Sequence, residues 1–120
     1  MQLIQGPTTA YLILEFAGGG DLRTYLRHRK SLQQNEPDFT LSSQPVIRDI
    51  QASLLIKSIL LAIKYLHDLD VVHRDIKAEN ILLLPSKDLT KLKIADFGLS
   101  TQFFAMREKT LQVKCGTLTY

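Results

Sequence analysis

Four polar side chains between residues 75 and 96 have the types and the spacing that phosphoryl transfer requires. Asp75 and Lys77 are two residues apart, so in an extended segment their side chains point to the same side. A carboxylate in this position can accept a proton from a hydroxyl, and a neighbouring ammonium group can stabilise charge on a phosphate oxygen. Asn80 and Asp96 carry hard oxygen atoms, the ligand type that Mg²⁺ prefers. One base, one cation and two metal ligands therefore indicate phosphoryl transfer, in which positioning and electrostatics supply most of the catalysis.

A predicted hairpin brings the two candidate metal ligands together. Ile81–Leu84 and Leu92–Ala95 are apolar runs of strand length, and Pro85–Asp88 forms the turn between them. Asn80 directly precedes the first run and Asp96 directly follows the second. Because paired antiparallel strands place these two ends side by side, the hairpin predicts that the two oxygen ligands are neighbours.

The first thirty residues are predicted to form a second hairpin and a short helix. Gln2–Gln5 and Tyr11–Phe16 are interpreted as paired strands, and the apolar composition of the second predicts burial on both faces. Gly18–Gly20 ends this strand, and it lacks the spacing of a phosphate-binding glycine loop. Asp21 is a suitable N-cap for a helix that continues to Arg29.

A polar segment and a long apolar helix are predicted next. Ser31–Gln44 shows no periodicity and is interpreted as a surface loop. Val46–His67 has helical periodicity with a polar stripe so narrow that the helix needs extensive covering surface. Its most apolar part, Leu54–Leu66, is interrupted by Lys57 and Lys64 and is too short to span a bilayer. The sequence thus predicts no membrane segment.

Composition limits the class of protein. The chain has 120 residues, 45% of them hydrophobic and 22% charged, which is typical of a globular protein and excludes a disordered tail. The net charge of +3 is too small to indicate nucleic-acid binding. One cysteine excludes a disulfide framework and suits a reducing compartment. The N-terminus lacks the pattern of a signal peptide, so we expect an intracellular protein, cytoplasmic or nuclear.

Two segments together resemble the eukaryotic protein kinase family. His73–Asn80, read H-R-D-I-K-A-E-N, is similar to the H-R-D-L-x-x-x-N catalytic loop, and Asp96–Gly98 matches the D-F-G motif. Lys77 and the segment Cys115–Tyr120, similar to G-T-x-x-Y, resemble the serine/threonine branch. The resemblance implies an α+β, partial kinase-like fold. Residues 1–17 would form the last strands of the N-lobe and the hinge, and residues 18–120 the start of the helical C-lobe through the activation segment.

The resemblance also implies a role for each matching residue. Asp75 would orient and deprotonate the substrate hydroxyl, and Lys77 would contact the transferring phosphoryl group. Thr117 would hydrogen-bond to Asp75 and Lys77, while Asn80 and Asp96 would hold Mg²⁺ on the phosphates of ATP. The remaining implied residues share contact with the nucleotide: Leu14, Glu15, Ala17, Asp21, Glu79 and Leu82.

Two interpretations of function stay open at this point. The first is a protein serine/threonine kinase that transfers the γ-phosphoryl group of ATP to protein hydroxyls. The alternative is a non-catalytic, pseudokinase-like binding or regulatory fragment. The match covers only the middle of a kinase domain, without the Gly-rich loop and the lysine that hold the phosphates, which favours the alternative. The intact catalytic and metal-binding positions favour the kinase. Because covering elements are missing, we expect the isolated chain to be inactive, and poorly soluble or molten.

Two further residues have roles implied by the resemblance. His73 would be structural, stacked near Phe97 and bonded to the backbone, which is also the commoner role of a lone histidine in a core. Arg74 would pair with a phosphate on the activation segment. Since Val113 occupies the usual phosphorylated position, Thr110 is the candidate phosphosite. No regulatory partner can be inferred.

Overall fold

Two short antiparallel strands begin the chain. In the computed structural model, which describes residues 1–34, 45–102 and 116–117, strand β1 (Gln2–Gln5) pairs with strand β2 (Ala10–Ile13). The turn between them is closed by a hydrogen bond from the backbone N–H of Gly6 to the carbonyl of Thr9, at 2.7 Å. The predicted hairpin is therefore confirmed.

The prediction that the second strand is buried on both faces is wrong. Strand β2 ends at Ile13, and the side chains of β1 and β2 are all exposed. Within the described residues the two strands pair only with each other. An apolar strand is buried on both faces only where a layer packs on each side, and no such layers are present on this hairpin among those residues.

A glycine-rich segment joins the hairpin to the rest of the molecule. The N–H of Gly19 donates to the carbonyl of Leu83 at 3.0 Å, and the N–H of Leu83 donates to the carbonyl of Gly20 at 2.8 Å. A Cβ atom at position 19 would lie 2.6 Å from that Leu83 oxygen. Only glycine permits this approach, so the segment works as a short extra strand as well as a turn.

Helix α1 (Leu22–Gln34) begins directly after Asp21. It extends beyond the predicted end at Arg29, so the first residues of the predicted loop Ser31–Gln44 are helical. Residues 35–44 of that loop lie outside the described residues. Ser31 lies within the helix, and its side-chain hydroxyl donates to the backbone carbonyl of His28, one turn earlier, at 2.8 Å.

Helix α2 (Asp49–Asp68) is the long helix that the periodicity predicted. Its 20 residues span about 30 Å, more than the apolar stretch Leu54–Leu66 considered above. By length and composition it meets the criteria of a membrane-spanning helix, and the interior helix of a larger soluble domain meets the same criteria. Lys64, which interrupts the apolar stretch, is exposed and forms an ion pair with Asp68 at 2.7 Å.

Four short strands follow, and the second and third of them lie at the predicted apolar runs. They are β3 (Val71–Val72), β4 (Ile81–Leu83), β5 (Leu92–Ile94) and β6 (Thr101–Gln102). Strand β4 pairs with β5 and β3 with β6, both antiparallel. The predicted hairpin is therefore confirmed, and the described residues mix helices with small strand pairs, an α+β arrangement.

The hydrophobic core lies between this hairpin and the two helices. Partly buried side chains of both helices and of β5 pack around it. The buried apolar residues of the described chain are Leu22, Leu55, Ile81, Leu83 and Leu89. The core therefore anchors β4, and with it the residues that precede this strand.

Candidate functional site

A closed hydrogen-bond network holds the catalytic-loop carboxylate. The ammonium group of Lys77 donates to Oδ2 of Asp75 at 2.7 Å and to Oγ1 of Thr117 at 2.7 Å. The Thr117 hydroxyl donates in turn to Oδ1 of Asp75, also at 2.7 Å. The structure thus brings these three predicted residues together, with Asp75 buried.

Asn80 adds a fourth member to this network. It closes a 3₁₀ turn (Ala78–Asn80), and its Nδ2 donates to the backbone carbonyl of Asp75 at 2.9 Å and to Oδ2 at 3.2 Å. The backbone carbonyl of Asp75 can accept a hydrogen bond from the NH₂ group of the Asn80 side chain but not from its oxygen. These contacts therefore fix the orientation of the Asn80 amide. The side-chain oxygen of Asn80 is then the atom available to a metal ion.

Hydrogen bonding sets the charges of the pair. The Lys77 ammonium, and after it the Thr117 hydroxyl, lower the pKa of Asp75 below its usual value. The same hydrogen bond to Asp75 raises the pKa of Lys77. Both groups are therefore charged at neutral pH. The site presents a carboxylate that can accept a proton and a permanent cation beside it.

His73 supports the network from the interior. Its Nδ1 accepts from the backbone N–H of Asp75 at 3.3 Å, which leaves Nε2 to donate to the carbonyl of Ala95 at 3.0 Å. Its ring meets Phe97 edge-on, with centroids 4.9 Å apart. The structural role predicted for this buried histidine is confirmed.

Two residues beside the network have left-handed backbone conformations. Arg74 has a φ of 67° and Asp96 a φ of 62°. Non-glycine residues adopt this conformation at an energetic cost, and they keep it only where surrounding contacts fix it. The Arg74 Nε donates to the carbonyl of Leu99 at 2.5 Å, and the N–H of Gly98 donates to Oδ1 of Asp96 at 3.1 Å. The first bond holds the loop of residues 73–80 against the segment that follows β5, and the second is a local bond within that segment.

An open cleft of about 780 Å³ lies beside Asp96. Its walls are largely apolar, a character and a size typical of small-ligand pockets. The segment after β2 lines one side, and β4 and β5 line the other. Five of the predicted nucleotide and metal residues line it, namely Leu14, Glu15, Ala17, Leu82 and Asp96.

Two predicted nucleotide residues do not line this cleft. Asp21 caps helix α1, where its carboxylate accepts from the backbone N–H and the hydroxyl of Thr24, both at 2.8 Å. These bonds lower the pKa of Asp21. The carboxylate of Glu79 forms an ion pair with Arg23 of helix α1. The structure therefore places both residues at the junction between α1 and the catalytic loop.

Asn80 and Asp96 fit a magnesium site. The N–H of Ala95 donates to the carbonyl of Asn80 at 2.8 Å, so the two candidate ligands lie on neighbouring chain segments. Among the described residues there is no cluster of three or more His, Cys, Asp or Glu side chains that could hold a metal ion alone. Two hard oxygens suit Mg²⁺, which completes its shell with phosphate oxygens and water.

Two residues at this site were not predicted from the sequence. The role of Gly19 had a signal in the Gly18–Gly20 run, although the run does not show which glycine approaches a neighbouring backbone. Arg23 had no signal, because its partner Glu79 is 56 residues away in the chain. The candidate phosphosite Thr110 lies outside the described residues.

The whole chain, residues 1–120, matches the family model described as protein kinase domain. It is 34% identical over 118 residues to the ovarian-specific serine/threonine-protein kinase Lok of Drosophila melanogaster, covering 98% of this chain and 21% of that protein. It is 39% identical over 115 residues to serine/threonine-protein kinase chk-1 of Caenorhabditis elegans, covering 95% and 19%. Against serine/threonine-protein kinase DCLK1 of Rattus norvegicus the identity is 40% over 115 residues, covering 95% and 22%. The chain thus spans about a fifth of the length of these relatives.

Proposed function

The chain belongs to the protein kinase domain family, and on this premise we propose that it forms the central part of a serine/threonine kinase catalytic domain. Residues 1–17 supply the last strands of the smaller lobe and the hinge, and residues 18–120 supply the start of the larger lobe. The reaction is transfer of the γ-phosphoryl group of ATP to a Ser or Thr hydroxyl of a protein. The observation that carries this proposal is the closed network around Asp75, next to an apolar cleft that ends at Asp96.

Asp75 acts as the acceptor for the substrate hydroxyl. A carboxylate has about four lone-pair positions, and three of them take hydrogen bonds from Thr117, Lys77 and Asn80. The bond from Thr117 goes to Oδ1 and the other two go to Oδ2, so the remaining position is on Oδ1. The hydroxyl oxygen attacks the γ-phosphorus as its proton passes to Asp75, and the bond from phosphorus to the bridging oxygen breaks to leave ADP.

Lys77 neutralises charge that develops during transfer. Its ammonium group has three N–H donors, of which one bonds Asp75 and one bonds Thr117. The third is left for an oxygen of the transferring phosphoryl group. Because the first two bonds fix the position of the cation before substrate arrives, little reorganisation is needed during the reaction.

The cleft binds the nucleotide. Leu14, Ala17 and Leu82 supply apolar surface for the adenine ring, and the backbone around Glu15 supplies polar groups at its edge. Asn80 and Asp96 hold Mg²⁺, which when bound neutralises the phosphates. The single cysteine suits a reducing compartment and supports the proposal of an intracellular activity, in the cytoplasm or nucleus.

Labelled phosphate transfer from ATP to casein, measured with the full-length natural protein, tests this function. We expect Asp75→Asn to lower kcat about a thousandfold because the proton acceptor is lost, while ATP with Mg²⁺ still raises the melting temperature. Lys64→Gln, on the exposed side of α2, is the matched control and retains full activity. A wild-type protein that binds ATP without transfer would establish the non-catalytic alternative. A wild-type protein that neither bound ATP nor transferred phosphate would overturn the nucleotide assignment as well.

A further inference from the structure

Lys77 lies midway between two carboxylates in the sequence. Asp75 is two residues before it and Glu79 is two residues after it. The backbone at Lys77 is extended, with a φ of −152° and a ψ of 163°, and Glu79 lies in the 3₁₀ turn that follows it. The structure pairs Lys77 with Asp75, at 2.7 Å. Sequence position alone does not explain this choice.

The position of Glu79 explains it. Its carboxylate is held by the guanidinium group of Arg23, which projects from the first turn of helix α1. This helix is anchored independently of the ion pair, by the buried Leu22 and by the backbone bridge between Asp21 and Leu82. Arg23 is therefore a cation carried by an anchored, separate element, and it pairs with Glu79 on the side of α1.

Glu79 is still close enough to Lys77 to attract it. The negative charge of Glu79 helps to raise the pKa of Lys77, although its contribution is smaller than those of Asp75. The side chains of Arg23 and Glu79 are 42% and 29% exposed, so their ion pair contributes little to overall stability. Its effect is instead on geometry at the neighbouring catalytic loop.

We propose that Arg23 is a positioning residue, which sequesters Glu79 so that Lys77 remains bonded to Asp75 and Thr117. Without Arg23, Glu79 competes for the Lys77 ammonium, and Asp75 loses one of the donors that fix its carboxylate. The rate consequence rests on the proposed kinase function, because a displaced cation then no longer meets the phosphoryl group. The contact consequence does not depend on any activity.

Carbodiimide cross-linking tests the contact directly. The reagent joins an amine to a touching carboxylate with loss of water, and tandem mass spectrometry locates the resulting link on either side of Lys77. In the full-length natural protein we expect Arg23→Gln to increase the Lys77–Glu79 link at least several-fold over wild type. Lys64→Gln removes a cation from the exposed ion pair with Asp68, so it matches the charge change and leaves the link at the wild-type level.

Phosphate transfer provides the second readout. Arg23→Gln lowers kcat about tenfold through the misplaced cation, and the double variant Arg23→Gln, Glu79→Gln recovers most of that loss because the competitor is gone. A merely structural ion pair predicts no recovery in the double variant. An unchanged Lys77–Glu79 link in Arg23→Gln overturns the proposal. An increased link in a protein without transfer activity supports the role of Arg23 and refutes the kinase function.

Discussion

The β4–β5 hairpin and the β1–β2 hairpin are built from similar apolar residues, yet they have opposite surroundings. Ile81 of β4 is 2% exposed, whereas Ile4 of β1 is 45% exposed. Strand β4 has β5 on one edge, the glycine segment on the other, and core side chains from both helices. Strand β1 has only β2 within the described chain. Burial thus follows from the neighbours of a strand rather than from its own apolar content.

This difference divides the site into two parts. The catalytic loop is fixed by hydrogen bonds within residues 73–98 and by Thr117, and all buried side-chain polar atoms in the described ranges have partners. The apolar cleft instead joins separate segments. Across its rim, Lys93 of β5 forms an exposed ion pair with Glu15, at 3.1 Å. The loop around Asp75 is therefore held by more hydrogen bonds, and the cleft depends on how the first hairpin is held.

Truncation of the two isoleucines separates the hairpins most strongly. This pair of substitutions and the next two sets are measured in the full-length natural protein, in which unfolding is expected to be cooperative. Ile81→Ala leaves a cavity in the core and destabilises the chain by about 3 kcal/mol, which accelerates exchange of the Leu83 and Ala95 amides about a hundredfold. Ile4→Ala removes an exposed side chain and leaves both rates unchanged. Hydrogen exchange followed by NMR measures both variants. Equal acceleration by the two substitutions would contradict the comparison.

A substitution at the joint between the hairpins has the next largest effect. Gly19→Ala places a Cβ atom 2.6 Å from the Leu83 oxygen, and we expect a loss of about 2 kcal/mol with faster exchange of the Leu83 amide. Gly20→Ala is the matched control. Position 20 is open but has a φ of 74°, so only conformational strain of about 1 kcal/mol applies. A larger loss in Gly20→Ala would show that close approach is unimportant here.

The cap of helix α1 has a smaller, pH-dependent effect. Asp21→Ala removes the bonds to Thr24 and destabilises the chain by about 1 kcal/mol at neutral pH, as seen in urea unfolding monitored by circular dichroism. Because the folded pKa of Asp21 lies below its usual 3.8, this contribution is present above pH 3.8 and is lost as pH falls through the folded pKa. Thr24→Val keeps the backbone bond and loses less. A difference that does not diminish as pH falls below 3.8 would refute the charged cap.

The outward face of α2 has the smallest effect on stability. Leu60→Gln changes an exposed side chain, and we expect a change within about 0.5 kcal/mol. The same variant binds less of a hydrophobic dye, because part of the exposed apolar face of α2 is removed. Since apolar faces on α2 and on the first hairpin are exposed, we also expect the isolated chain to melt broadly. Calorimetry and dye fluorescence measure these properties. A sharp cooperative melt of the 120-residue chain would contradict this expectation.

The sequence predicted the elements that position the catalytic loop. Short apolar runs bounded by turn residues gave β4 and β5, and helical periodicity gave α2. These patterns are local, so they can be recognised without knowledge of the fold. The end of α1 was predicted too early, since residues 30–34 contain a single apolar side chain, Leu32, and show no apolar period, so helix continuation there depends on the surrounding structure.

What the sequence alone determined was the set of chemical groups and their spacing: Asp75, Lys77, Asn80 and Asp96 around one hairpin, and from them the family. Tertiary structure decided which groups touch. It placed Thr117 on Asp75 from 42 residues away, brought Arg23 to Glu79, and left the first hairpin exposed. Spacing fixes neighbours only within a few residues, whereas contacts between distant residues depend on how the core packs. That packing determines which of two equally spaced carboxylates holds the catalytic-loop lysine.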